Sequence, residues 1–171
     1  MDTIYYKKII LVFLCLSLGM LISCMHLRSK QDVYEDFISL DKAKRIPAAK
    51  TLASMEHKSL EEWLLEQLDK KNIFAVMTIR DIRLNSLEAI PKLISFLDMD
   101  YPVMYSKKTF LRIIEKSTPP FNEVSLEALK SIVEVDFKYD KRKWAEWYKN
   151  SEEKLFWSET DKKFKLENNE E

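Results

Sequence analysis

Three kinds of side chain in this sequence could do chemistry: grouped carboxylates, a histidine and clustered indoles. Glu61, Glu62 and Glu66 could pair as acid and base on a glycan. A general acid, however, needs burial to raise its pKa. These three fall on the polar side of a predicted helix, opposite Trp63 and Leu64, where solvent is expected. Asp98 with Asp100, and Asp136 with Asp140, suggest oxygen ligands for a cation. A calcium loop supplies more carboxylates and a glycine for its sharp turn. Here the acids precede predicted helices, where capping of free N–H groups is the expected role. His57 lies two residues before Ser59, a helix-start residue, and reads as a solvated loop position. Trp144, Trp147 and Trp157, with Phe137, Tyr139, Tyr148 and Phe156, form a late aromatic cluster. Such rings bind sugars or partners, or else cover the end of a helical stack.

Composition narrows the field. The chain has 171 residues, 28 basic and 28 acidic, and 46% of them are apolar, enough to bury a core. Its one glycine is Gly19, so a Gly-rich phosphate loop, a dinucleotide fingerprint and a Gly-flanked serine nucleophile are excluded. Cys15 and Cys24 are too few for a disulfide framework or a zinc module. Balanced charge gives no nucleic-acid footprint. No cofactor is indicated.

The amino terminus reads as an address. Lys7 and Lys8 precede an uncharged run from Ile9 to Ile22, which is short for a membrane-spanning helix (about 20 residues) and matches the apolar stretch of a secretory signal. The run ends in Leu21-Ile22-Ser23-Cys24. This resembles the lipobox of bacterial lipoproteins: an aliphatic residue, a tolerated residue, a small residue and the cysteine. The resemblance implies a signal peptide over 1–23, cleavage before Cys24 and a diacylglycerol thioether on its sulfur. It further implies a mature chain anchored by acyl chains, palmitate among them, in a bacterial cell envelope. Met25, where some bacteria carry an aspartate that retains lipoproteins at the inner membrane, favours the outer one. Cys15 would leave with the signal, so the mature chain would have no free thiol.

Behind the address the sequence predicts helices only. Residues 24–40 read as a tether and a first helix, with Ser29 and Asp32 as a capping box before Val33, Tyr34, Phe37 and Ile38. Pro47 is expected to open a helix through Leu52 and Met55. Ser59 and Glu62 form a second capping box ahead of Leu60, Trp63, Leu64 and Leu68, with Glu61, Glu62, Glu66 and Gln67 on the wet side. The β-branched run Ile73 to Ile82 is the one place where a strand competes, and Val133 to Phe137 is a weaker one. Ser86 starts a helix with Leu87, Ile90, Leu93, Ile94 and Leu97 buried. Pro91 either bends that helix or marks its first turn. Pro102 begins another, carrying Val103, Ser106, Phe110, Ile113 and Ile114, and Thr118-Pro119-Pro120 ends it. The next buries Leu126, Leu129, Ile132 and Val133. Asp140 caps a last helix with Trp144, Trp147 and Tyr148. Residues 158–171 hold five acids and three lysines and read as a frayed helix end or a charged C-terminal tail.

Self-similarity suggests repeats. Ser86-Leu87-Glu88-Ala89-Ile90 recurs as Ser125-Leu126-Glu127-Ala128-Leu129, an offset of about 40 residues, as in two-helix solenoids. The stretch Ala89-Ile90-Pro91-Lys92-Leu93, with its Asp98-Met99-Asp100 turn and Val103, resembles a HEAT repeat. Asp136-Phe137-Lys138-Tyr139-Asp140, then Trp144 and Trp147-Tyr148, resembles the closing motif of bacterial HEAT-repeat proteins, whose form is Phe-Gly-Tyr-Asp, then Trp-x-x-Trp-Trp. Lys138 and Tyr148 depart from that closing motif, and Met104 departs from the repeat pattern, where the family carries arginine. The resemblance implies an all-α fold, a short irregular α-solenoid of HEAT-like helix pairs over 41–157, covering its exposed end with indoles. It implies a protein-binding module without catalytic activity, on an unidentified envelope partner and without nucleic acid. Its concave surface would carry Glu88, Lys92, Ser95, Glu127 and Lys130. The alternatives are an envelope glycan-cleaving enzyme using Glu and Asp carboxylates, and a structural spacer.

Overall fold

The computed structural model describes residues 28–100 and 118–167. The address, Cys24 and the helix expected from Pro102 with Val103, Ser106, Phe110, Ile113 and Ile114 lie outside the described residues. Among those described, the fold is mostly helical. Seven α-helices run α1 Lys30–Phe37, α2 Lys42–Met55, α3 Leu60–Asp69, α4 Ile73–Ile82, α5 Ala89–Ser95, α6 Phe121–Ile132 and α7 Lys141–Ser151. Short 3-10 turns extend α5 over Phe96–Asp98 and α7 over Glu152–Lys154, and a hairpin of β1 Leu155–Ser158 and β2 Lys163–Leu166 closes the chain.

The helices start where side chains can satisfy backbone donors. Ser29 and Asp32 make a reciprocal capping box, each side-chain oxygen 3.1 Å from the other's N–H. Ser59 accepts from Glu62 N–H at 3.1 Å, one half of the box its spacing suggests. Asp140 accepts from Lys143 N–H at 3.0 Å, as expected for the last helix. Pro47 does not open α2. Asp41 does, accepting from Ala43 N–H at 2.9 Å, and the proline lies inside the helix. Its ring forgoes one bond to the carbonyl of Ala43, a loss the flanking turns outweigh. Pro91 falls in the first turn of α5, where no N–H is missed.

The run Ile73 to Ile82 is helical throughout. Asn72 caps it by accepting from Phe74 N–H at 3.0 Å, and Ile73 to Ile79 are all buried. A helix apolar on every side belongs inside the packing. Accordingly α4 contacts α2, α3 and α6. Two successions of neighbours result: α2, α4 and α6 on one side, α3, α5 and α7 on the other, with α2–α3, α3–α4 and α5–α6 contacts joining them. Phe37 of α1 closes the amino-terminal end, its ring 4.9 Å from Trp63 and 6.3 Å from Phe74. At the other end Trp144 is fully buried, edge-on to Phe137 at 5.2 Å, and its Nε1 donates to Lys138 O at 2.8 Å. Contacts with α5 and a Tyr148 hydroxyl bond to Leu87 O at 3.4 Å seat this cluster.

Three corrections concern the elements. The described part of the expected tail, 158–167, is not simply a charged segment: Phe156 pairs with Lys165 and Trp157 with Phe164 in antiparallel register. Phe164 is buried and adds a parallel bridge to Val133, so the late β-branched segment does reach a sheet edge. The strand forms because Leu155, Trp157, Phe164 and Leu166 fall on one face of the alternation. Gln67 lies within the core at 7% exposure, where Asn72 Nδ2 donates to its Oε1 at 3.3 Å. Finally, the two similar segments sit differently on their helices. Ser86 precedes α5, whereas Ser125 is inside α6, which begins at Phe121.

With no glycine after residue 19, left-handed positions fall to other residues. His57, Lys71 and Arg83 take φ of 56°, 54° and 49° just past the ends of α2, α3 and α4. Each makes the paired closure of a Schellman motif. After α3, Lys71 N–H bonds Leu68 O at 2.8 Å and Asn72 N–H bonds Gln67 O at 2.9 Å. Lys138, where the closing motif has glycine, is left-handed too, at φ 52°.

Candidate functional site

The residues expected to form one surface are divided between the two successions of helices. Glu88 precedes α5 and, with Lys92 and Ser95, belongs to the side of α3 and α7. Glu127 and Lys130 belong to α6, on the side of α2 and α4. Most are engaged locally. Lys92 pairs with Asp69 of α3, and Ser95 Oγ donates to Lys92 O at 2.6 Å. Lys130 pairs with Asp136 at 2.9 Å, and Arg80 donates to Glu127 at 2.5 Å.

Glu127 ends a chain of charges that the sequence reading did not find. Arg45 of α2 is 1% exposed, pairs with Asp81 of α4 and donates from Nη1 to Ser39 O at 2.5 Å. Arg80 bonds Asp81 at 3.0 Å and reaches on to Glu127 of α6. Three helices are thus joined by alternating charge. Burial pulls the Arg45 guanidinium below its ordinary pKa, against the pull of Asp81. Its Nε is buried without a partner among the described residues. A sequence signal existed: Arg45 interrupts an otherwise small and apolar stretch, Ala43 to Ala49, with one lysine.

The carboxylates considered for glycan cleavage do not converge. Glu61 and Glu62 are exposed, and Glu66 pairs with Lys58 at 2.6 Å. Of the acids expected as caps, Asp140 caps α7, while Asp98 and Asp136 are surface partners of lysines. Hydrogen bonding from Lys130 first, then from Lys138 N–H, holds the Asp136 carboxyl below its usual range, and the Lys143 N–H does the same for Asp140. Asp98 pairs with Lys141 at 2.5 Å. Among the described residues no group of three or more His, Cys, Asp or Glu side chains could hold a metal ion. His57 is exposed at the end of α2.

Arg80, Glu127, Lys130 and Tyr139 line one open groove at the end of the charge chain, and two others lie apart from it. One, of about 660 Å³, lies between the hairpin and the Glu134–Val135 segment, with Trp147 and Phe156 on its walls. Phe156 is 46% exposed, and Trp147 Nε1 is buried without a partner among the described residues. Trp157 is partly covered by Phe164, the rings 5.0 Å apart. The other groove lies between α1 and α2. Among the described residues no helix is long and apolar enough to cross a membrane. Compared with known protein families, curated proteins and solved structures, the chain matches none of them.

Proposed function

We propose that this chain is a lipoprotein of the bacterial cell envelope, tethered through Cys24, whose helical domain is a short HEAT-like α-solenoid that binds another protein without a catalytic step. One observation carries the reading: Leu21-Ile22-Ser23-Cys24 closes an uncharged run behind Lys7 and Lys8. The small Ser23 suits the cleavage position and Cys24 supplies the thiol for the acyl-bearing group. Two acyl chains suffice for stable anchoring, each buried methylene contributing about 0.8 kcal/mol.

The solenoid reading is supported by the succession of α2, α4 and α6 beside α3, α5 and α7, and by the indoles covering the last helices. Glu88, Lys92, Ser95, Glu127 and Lys130 remain candidates as two patches rather than one. Radiolabelled palmitate fed to producing cells tests the anchor. It should enter the wild-type chain and not Cys24→Ala, and failure to enter the wild type removes the reading. Crosslinking from solubilised envelope tests the binding role. One protein should be enriched reproducibly and lost when Lys92 and Glu127 are both reversed in charge. Cleavage of purified peptidoglycan, abolished by a single carboxylate change, would replace binding with catalysis.

A further inference from the structure

The amino-terminal helix α1 is held differently from the rest. It is eight residues long, too short to stand in water by itself, and it fully buries two side chains, Val33 and Phe37. An open groove of about 480 Å³ runs between α1 and α2, lined on the α2 side by small residues such as Ala43, Pro47, Ala48 and Thr51. Close-packed interiors leave no such space. Phe37 supplies the main hold, its ring against Trp63 and Phe74. Yet Trp63 Nε1 is buried in that pocket without a partner among the described residues, which offsets part of what the aromatic contacts contribute. Polar groups lie alongside. Burial lifts the Tyr34 hydroxyl above its ordinary pKa, with the Asn72 side chain bonded to it pulling the other way. Asn72 in turn donates to Gln67. Water can serve these groups once α1 has left, so its departure does not uncover a purely apolar floor. The Arg28–Asp36 ion pair stays within the segment. Among the described residues only the Lys30–Glu56 pair reaches α2, and its lysine is 62% exposed, so it holds weakly.

The chain has a fixed point just behind α1. Ser39 O accepts from Arg45 Nη1 at 2.5 Å, and Arg45 is itself held by Asp81 of α4. We propose that α1 is a releasable strap: it leaves the α2–α3–α4 end by hinging ahead of Ser39 while the other helices stay folded, and so lets the domain stand away from its anchor. The gain in reach rests on lipidation of Cys24, whereas release itself does not. The step from Cys24 to Ser29 is five residues, at most about 17 Å of extended chain, and the step to Ser39 is fifteen, about 50 Å. Release thus lengthens the tether about threefold. Acyl chains in a bilayer and the all-round burial of α4 hold more strongly than two side chains do. A pull between the anchor and a bound partner is therefore taken up at α1.

The test uses the full chain, extracted from producing cells in mild detergent, and native-state hydrogen exchange read by peptide mass. Amides Val33 to Phe37 of α1 should be protected at least about a hundredfold less than Met77 to Ile79 of α4, because they exchange through local release and not through global unfolding. Phe37→Ala should remove the α1 protection. It should lower the α4 protection by no more than the factor by which α1 was protected in the wild type, since Phe37 is already free in the released state. Equal protection of α1 and α4 in the wild type overturns the proposal, and so does a larger loss at α4 in Phe37→Ala. Reach is read on the same chains in phosphatidylcholine vesicles, with a donor dye on the thiol of Lys149→Cys, exposed on α7, and an acceptor on the lipid. Phe37→Ala should lose energy transfer relative to the chain with Phe37, and equal transfer removes the gain in reach. Palmitate incorporation is read on the same preparation. Chains that carry none and stay off the vesicles refute the anchor, and exchange then decides release alone.

Discussion

Replacing Asp81 by asparagine isolates the most consequential charge in the molecule. Arg45 is 1% exposed and relies on two acceptors, the Asp81 carboxylate and Ser39 O. Asparagine keeps a carbonyl oxygen and nearly the same volume but removes the negative charge. A buried guanidinium left without its counter-ion costs about 3–5 kcal/mol. Against a total stability of about 5–15 kcal/mol, that is a large fraction. At roughly 2–4 °C per kcal/mol, the melting temperature should fall by about 10 °C or more. The same chain of charges provides its own control. Glu127 is half exposed where it meets Arg80, so Glu127→Gln should cost under about 1 kcal/mol. Arg45→Met leaves Asp81 still bonded to Arg80, so its penalty should be smaller than that of Asp81→Asn. The pair Arg45→Met with Asp81→Leu removes both buried charges and should recover part of the loss, as apolar replacements of buried pairs do.

Urea unfolding followed by circular dichroism reads all four variants on one scale, and Asp81→Leu alone, added to them, closes the double-mutant cycle that gives the coupling. Equal losses for Asp81→Asn and Glu127→Gln would refute the argument, because it assigns the cost to burial of Arg45 and not to the number of ion pairs broken. A double variant less stable than Asp81→Asn would refute it as well.

Replacing Lys71 by glycine should stabilise the chain by about 0.5–1 kcal/mol, since a left-handed side-chain-bearing residue carries a strain of about 1–2 kcal/mol that glycine's greater unfolded freedom only partly offsets; denaturant midpoints read it, and His57→Gly should behave alike. Phe164→Ala should cost about 3–5 kcal/mol and abolish the near-ultraviolet signal of Trp157, whose ring packs 5.0 Å from Phe164; an unchanged signal would mean the hairpin stands without its anchor. Acid titration has a defined sign. The carboxyls of Glu56, Asp136, Asp140 and Asp161 are held below their ordinary values, by Lys30, Lys130, the Lys143 N–H and Lys165 in turn. Their contribution is present above the unfolded carboxylate range of about 4 and is lost as pH falls through the lower folded values. Urea midpoints below pH 4 should therefore decline, less steeply in Asp136→Asn, and a midpoint rising on acidification would contradict the assignment.

The helices were legible because their signals are local. Ser29 with Asp32, the stripe of Trp63, Leu64 and Leu68, and Asp140 ahead of Trp144 each fix an element within four to nine residues. What escaped depends on partners far along the chain. Pro47 reads as a helix start until Asp41 is seen holding Ala43 N–H one turn earlier. Gln67 belongs to the wet face by periodicity, but its polar end is satisfied at Asn72, five residues on and beyond the helix end. Lys163-Phe164-Lys165-Leu166 does alternate, yet only over four residues and amid acids and lysines. Its stability comes from Val133 and Trp157, not from its own composition. The same holds for candidate sites: Cys24 is marked by adjacent residues, whereas Arg45, Asp81, Arg80 and Glu127 form a unit only once α2, α4 and α6 are side by side.

The missing glycines explain how a mostly helical fold can come from a sequence with such irregular punctuation. Helix ends need a left-handed residue, and where glycine supplies it the sequence announces the boundary. Here His57, Lys71 and Arg83 supply it, each closing a Schellman pair. Their long or polar side chains are exposed, so using them in place of glycine costs backbone strain but no packing. Hence the boundaries are hidden from a reader looking for glycine while remaining firm in the fold. The strain falls outside the buried contacts of α4, Phe37 and Trp144, which is where a chain stabilised mainly by packing can tolerate it.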